Sequence, residues 1–298
     1  MTSLNYLKEY SFEKVFQYIF TSLARRSKNM SINFMEIVLG FLIIFILSIL
    51  IFRLQYLDRG GTMAGIMIGS IILIGFGWPA LIIMMVFFTF STFSTRLRYS
   101  YKRQLGFGQE KGGKRGWKNT LANGGIAASS ALANFFLGGE IFFICFLGAM
   151  ATSMADTLAT EIGLLSKSRP RLITNLRKKV GAGTSGGVSS LGELMVVSGS
   201  LLIGILASFL EFFPMPILEV ILIALSGGLI GSHIDSILGA TIQSINRCLV
   251  CGAITESNNH HNKPTESFKG FRIIENNIVN FLSTLAGALA AVGISIII

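Results

Sequence analysis

Charge is what this chain has least of. Asp, Glu, Lys and Arg make up 13% of its 298 residues, against about 25% in ordinary soluble domains. With 51% hydrophobic residues and a mean hydropathy of +0.64, that shortage excludes a disordered chain and argues against a soluble enzyme. Three cysteines are too few for a disulfide framework, which excludes a stapled secreted scaffold. No cleavable signal peptide is apparent. There is no HExxH motif and no Ser-His-Asp triad. No Lys-Ser/Thr follows the glycine-rich segment, so there is no Walker A loop.

What is present is apolar length. A helix needs about 20 mostly apolar residues to cross about 30 Å of hydrocarbon. Eight segments qualify, over residues 34–52, 61–77, 79–95, 121–137, 141–160, 188–213, 217–239 and 278–298. The expected fold is an all-α polytopic membrane bundle of seven to eight spans. The second and third segments are short and meet at Trp78 and Pro79, which leaves room for one of them to be re-entrant. Residues 1–33 are amphipathic, with Tyr10, Phe12, Val15, Phe16, Ile19 and Phe20, and form either an interfacial helix or a small soluble cap. Residues 34–298 form one membrane domain, with loops at 96–118, 164–187 and 246–275. Gly61, Gly65 and Gly69, and again Gly227 and Gly231, carry GxxxG spacing suited to close helix packing.

Basic residues give the orientation. Of 25 Lys and Arg, eight fall within 96–118, six within 167–179, four within 247–272, and Arg53 and Arg59 add two. The connections at 78–79, 138–140 and 213–216 carry none. With eight spans, every basic loop lies on one side, the cytosol, and the N-terminus with its five basic residues lies opposite. The net charge of +10 is explained by this rule, and no nucleic-acid partner is expected.

Intramembrane carboxylates cost several kcal/mol unless they face a partner or water, so they mark function. Asp156 lies 16 residues past Glu140, about 24 Å along a helix, near the cytosolic boundary. Ser153, Asp156/Thr157 and Thr160/Glu161 make one polar stripe. Ser232, Asp235/Ser236, Gly239 and Gln243 make another, with His233 off that face. Asn119, Asn123, Ser130 and Asn134 form a third, and Glu275, Asn276, Asn277, Asn280 and Ser283/Thr284 a fourth. Singly, each Asn reads as interhelical glue and Asp156 as a cap or ion-pair partner. Together, four stripes at one end converge on a hydrophilic cytosolic pocket.

The glycine-rich run from Gly181 to Ser189 precedes the sixth span, where backbone N–H groups suit phosphate. Lys178 and Lys179 precede it, and the segment 102–118 is basic with several glycines. Glycine-rich turns are also common in membrane proteins. Two or three carboxylates beside such a surface can hold Mg²⁺ on a triphosphate, with Lys and Arg taking the remaining charge. Cys248-x-x-Cys251, followed by His260 and His261, offers either a small structural Zn²⁺ turn or unligated thiols.

Seven motifs then occur in a fixed order: KRQLG from Lys102, LANG from Leu121, ADTLATEIG from Ala155, PRLIT from Pro170, GTSGGVS from Gly183, GSHIDS from Gly231 with Gly239 after it, and NNIVN from Asn276. Over about residues 35–298 the chain resembles the integral membrane family of domain of unknown function ninety-two. Its plant and cyanobacterial members are phytyl-phosphate kinases, and it is distantly similar to CTP-dependent prenol kinases and CDP-diglyceride synthases. The resemblance implies phosphoryl transfer from a nucleoside triphosphate, CTP foremost, to an isoprenyl monophosphate such as phytyl or geranylgeranyl phosphate. The family motif residues correspond to Asn123, Asp156, Glu161, Thr184, Ser185, Asp235 and Asn280. Thr160 stands where the family often has Ser, and His261 where some relatives have Cys.

On that basis Asp156, Glu161 and Asp235 are expected to hold Mg²⁺. Gly183, Thr184, Ser185, Gly186, Gly187 and Ser189, with Lys178 and Lys179, are expected to hold nucleotide phosphates. Lys102, Arg103 and Arg115 would neutralise charge, and Asn123 and Asn280 would orient the acceptor phosphate. The prenyl tail would lie between helices in lipid. A prenol kinase or a lipid cytidylyltransferase would use the same pocket with another acceptor. A transporter of anionic lipid or small solutes predicts polar residues through the full depth of the helices.

Overall fold

The computed structural model describes residues 34–104, 113–212, 215–252, 254–256, 259–260 and 263–298, with the backbone alone for Phe34, Arg103, Gln104 and His260. The amphipathic stretch 1–33 and His261 lie outside the described residues.

Eight long helices carry the fold: α1 (Phe34–Arg53), α2 (Arg59–Phe76), α3 (Trp78–Arg96), α5 (Trp117–Leu137), α6 (Glu140–Gly163), α7 (Ser190–Phe209), α8 (Ile217–Thr241) and α9 (Asn276–Ser295). A short helix, α4 (Tyr99–Gln104), follows α3. Seven of the long helices are apolar enough to cross a membrane. The exception is α5, whose 21 residues reach as deep as its neighbours. It tolerates its polar stripe because Asn123, Ser130 and Asn134 are buried on a helix packed against α2, α6 and α9, while Leu132, Phe136 and Leu137 face outward. Both α2 and α3, of 18 and 19 residues, are long and apolar enough to cross a membrane, and they meet at Gly77. A positive φ of 77° at Gly77 makes that one-residue reversal possible, and Pro79 opens the next helix where no N–H is needed.

The innermost helix is α6, packed against α3, α5, α7, α8 and α9, with 67% of its apolar window buried. Small residues allow this. A Cβ on Gly227 of α8 would stand 2.7 Å from the Gly148 Cα of α6 and 3.0 Å from the Gly287 carbonyl of α9. Thr152 donates across this crossing to the Gly227 carbonyl at 2.9 Å. At the far end, Phe76, Phe143, Phe146 and Phe212 close the core, with ring centroids 4.6–5.7 Å apart. By contrast α1 is only 17% buried and rests on α2, where Gly40 admits Leu73.

The connection 54–58, the segment 164–189 and the described parts of the connections after α3 and α8 gather at one end. Asp58 donates its N–H to the Arg115 carbonyl at 3.1 Å, and Arg96 donates to Leu54 and Gln55 carbonyls at 2.8 and 3.1 Å. A three-stranded sheet of β1 (Arg171–Leu172), β2 (Asn175–Lys179) and β3 (Gly187–Val188) supports the glycine loop. In the last connection β4 (Ile245–Arg247) pairs with β5 (Ile254–Thr255) and with β8 (Glu266–Lys269), while β6 (Asn259–His260) pairs with β7 (Lys263–Pro264).

Candidate functional site

Two carboxylates meet at the loop-bearing end. Asp156, five residues before Glu161 on α6, lies within hydrogen-bonding reach of Asp235 on α8. The Ser283 hydroxyl of α9 stands beside Asp235 and donates to the Asn280 carbonyl at 2.9 Å. Asp235 Oδ1 is buried and has no hydrogen-bond partner among the described residues. A buried, unpaired carboxylate oxygen beside a second carboxylate needs either a proton or a cation. Two carboxylates are the protein share of ligands that Mg²⁺ takes when phosphates and water complete its shell. The donor set therefore fits Mg²⁺.

The pair lines a cavity of about 140 Å³. Its other walls are the glycine loop from Ala182 to Ser189, the start of α7, and Gln243, Glu256 and Asn276. The loop is held on the last turn of α8. Ser185 Oγ donates to Gln243 Oε1 at 2.9 Å, and Gly186, at φ 77°, leaves no room for a Cβ against Ala240. Two loop N–H groups are used internally, Thr184 to the Gly181 carbonyl at 3.2 Å and Gly187 to the Thr184 carbonyl at 2.8 Å. Ser189 caps α7 by accepting from the Gly192 N–H at 3.1 Å, so that helix begins at the cavity with its positive end.

Glu161 is placed differently from the expected ligand trio. It accepts from Lys102 Nζ at 2.7 Å and from Thr95 Oγ1 at 3.0 Å, in a buried network. Arg115 joins that network through Ser91 and Thr95. Burial pulls the Arg115 guanidinium below its usual value, and the charges of Glu161 and Asp156 oppose the pull; it stays a cation. Among the described residues no three His, Cys, Asp or Glu side chains come together as a metal site. This holds for Asp156, Glu161 and Asp235 as a trio. Cys248 is buried and Cys251 exposed. The zinc arrangement with His260 and His261 runs past the described side chains.

Of the remaining expected residues, Gly183, Thr184, Ser185, Gly186, Gly187 and Ser189 line the cavity. Lys178 and Lys179 lie on β2, exposed and outside its lining. The Arg103 side chain is outside the described set. Asn123 is buried on α5, where its Nδ2 donates to the Asn119 carbonyl at 2.9 Å and its carbonyl accepts from Ser153 at 2.8 Å. It lines a second, apolar cavity, and Asn280 is buried but lines neither.

Three ionisable cavity residues had no place among the expected site residues, although His233 reads from sequence as either a metal ligand or a hydrogen-bonded packing histidine. His233, expected off the polar face, lines the wall, with Nε2 3.3 Å from Glu193 and Nδ1 2.7 Å from the Leu229 carbonyl. Glu193 is the second, visible in the sequence only as an acid in the first turn of a span. The third, Glu256, comes from a polar loop with no motif around it. It accepts from Gln243 Nε2 at 2.8 Å. Burial against the cavity pushes its acid above the usual carboxylate range, and the hydrogen bond from Gln243 opposes the shift.

Comparison with known proteins bears on the family of the chain. The family described as "Integral membrane protein DUF92" matches residues 42–288. Protein PGR of Arabidopsis thaliana is 32% identical over 78% of this chain and 87% of its own length. An uncharacterized membrane protein of Methanocaldococcus jannaschii is 32% identical over 68% of this chain and 81% of its own length. Protein VTE6, chloroplastic, also of Arabidopsis thaliana, is 22% identical over 79% of this chain and 64% of its own length. No solved structure matches the chain. A family match across most of the bundle, with a relative this similar along nearly its whole length, makes the chain a member of the integral membrane family DUF92.

Proposed function

We propose that this protein is a Mg²⁺-dependent phosphotransferase that moves a phosphoryl group from a nucleoside triphosphate to an isoprenyl monophosphate, giving the diphosphate. CTP as donor, and phytyl or geranylgeranyl phosphate as acceptor, follow from the family resemblance. The site would face the cytosol, where the basic loops gather. The observation that carries the reading is the Asp156–Asp235 pair with its unpaired buried oxygen, set against a glycine loop and a helix N-terminus.

Mg²⁺ held by Asp156 and Asp235 would neutralise the triphosphate and withdraw charge from the oxygens around the transferred phosphorus. The glycine loop and the start of α7 would seat the donor phosphates. An acceptor oxygen attacks the γ-phosphorus, the bond to the β–γ bridging oxygen breaks, and that oxygen leaves with the nucleoside diphosphate. The acceptor phosphate is already ionised near pH 7, so no side chain has to take a proton. Positioning and electrostatics are what the chain contributes. Glu161, paired with Lys102, would hold α6 against α3 and α4 and so keep Asp156 in place.

The test is product analysis. Purified protein with Mg²⁺, each nucleoside triphosphate in turn, and phytyl monophosphate should release the nucleoside diphosphate and form phytyl diphosphate. Release of pyrophosphate instead would identify a cytidylyltransferase and refute the kinase reading.

A further inference from the structure

Beside α6, on the side away from the glycine loop, lies a larger cavity of about 450 Å³, within the range of ligand-binding sites. Its walls are α1, α2, α3 and α5. Most of the lining is apolar, including Ile44, Leu47, Met84, Met85, Phe87 and Phe88. Among the described residues α1 packs on α2 and makes at most slight contact with α3, and the cavity fills the gap. Phe93 lines the cavity and is 65% exposed, so the chamber reaches the lipid-facing surface.

One end of the chamber is polar. Asn119 and Asn123 border it, and so does Arg115. Arg115 is only 8% exposed, and its Nε has no hydrogen-bond partner among the described residues. A buried guanidinium N–H without an acceptor is an incomplete anion site. The other arginine at this end is committed elsewhere. Arg96 holds the Leu54 and Gln55 carbonyls and lies 4.0 Å over the Tyr56 ring. Arg115 also feels the charges of Asp156 and Glu161. Asn123, on the chamber wall, accepts from Ser153, one turn before Asp156. The head of the chamber therefore backs onto the carboxylate pair.

We infer that this chamber is the seat of a single-chain lipid monophosphate, its hydrocarbon tail between α1 and α3 and its phosphate on Arg115. The inference rests on the proposed phosphotransfer for its choice of ligand, and locates the acceptor. An apolar slot opening to lipid with one buried cation at its inner end matches an amphiphile with a single anionic head. Three flexible methionines in the wall, Met84, Met85 and Met150, suit a branched tail.

Gly65 provides a clean test. It lines the chamber, and a Cβ there would meet only Leu57, at 3.6 Å. Gly65→Phe adds a ring on a chamber-lining residue whose Cβ meets no backbone. The measurement is equilibrium binding of a phytyl phosphonate to the full chain in detergent, without nucleotide or Mg²⁺. Gly65→Phe and Arg115→Gln should each weaken binding by about tenfold or more, the loss of one well-placed contact. Arg115→Lys should recover part of it, and binding of phytol, which has no charge, should respond to Gly65→Phe alone. Unchanged phosphonate binding in a folded Gly65→Phe protein would overturn the assignment, as would equal competition by a two-chain phosphatidic acid. Binding without phosphoryl transfer would keep the seat and remove the kinase reading. Transfer at the normal KM in Gly65→Phe would do the reverse.

Discussion

Lys102 and Glu161 form an ion pair at 2.7 Å with 1% and 6% of their side chains exposed. Lys102 also donates to the Ser94 carbonyl at 2.7 Å, so the ammonium ties α4 and α3 to α6. Breaking one side strands a buried charge, at a cost of about 3–5 kcal/mol. Lys102→Met should lower thermal stability sharply in detergent, and Lys102→Met with Glu161→Leu should regain much of it. Retained turnover in the double variant would assign Glu161 to positioning, and complete loss with normal stability would return it to the metal.

Asp156→Asn and Asp235→Asn should each abolish turnover while the protein inserts and purifies. Each removes one of two like charges held close together, so thermal stability without Mg²⁺ should hold or rise. Mg²⁺ should stabilise the parent chain in a thermal-shift titration, EDTA should reverse the effect, and both variants should lose it. Normal activity in either variant would defeat this choice of ligands.

Gly186→Ala places a methyl against Ala240 and the Ser236 carbonyl, and burdens a residue at φ 77°. The backbone strain alone is about 1–3 kcal/mol. The glycine loop should lift off α8, raising the KM for nucleotide by about tenfold or more and leaving lipid-phosphonate binding unchanged. Equal loss of both affinities would argue that the loop is not a nucleotide-specific element.

Gly227→Leu probes the core of the bundle. With the Gly148 Cα 2.7 Å from an added Cβ, the crossing of α6 and α8 cannot close. Overpacking costs about 1–3 kcal/mol or more. Size-exclusion profiles and thermal denaturation in detergent should show a poorly folded protein, while Gly65→Phe should behave like the parent.

Hydropathy and spacing made much of this legible. The runs near 34–52 and 217–239 are helices, and Asp156, Asp235, Thr184 and Ser185 surround one cavity. A residue that pairs through space left no such trace. Lys102 and Glu161 stand 59 positions apart, and nothing local distinguishes Lys102 from its basic neighbours. Glu256 sits in a polar loop, where an acid is ordinary. Lys178 and Lys179 precede the glycine run, yet β2 carries them out of the cavity.

From the chain alone came the membrane bundle and the crowding of polar residues at one end, because apolar length and polar stripes are local properties that lipid and helical periodicity read directly. Tertiary packing decided which acid is paired and which is left open. That choice depends on which helices touch: α3 and α4 bring Lys102 to Glu161, while the glycine-lined crossing of α6 and α8 brings Asp156 to Asp235.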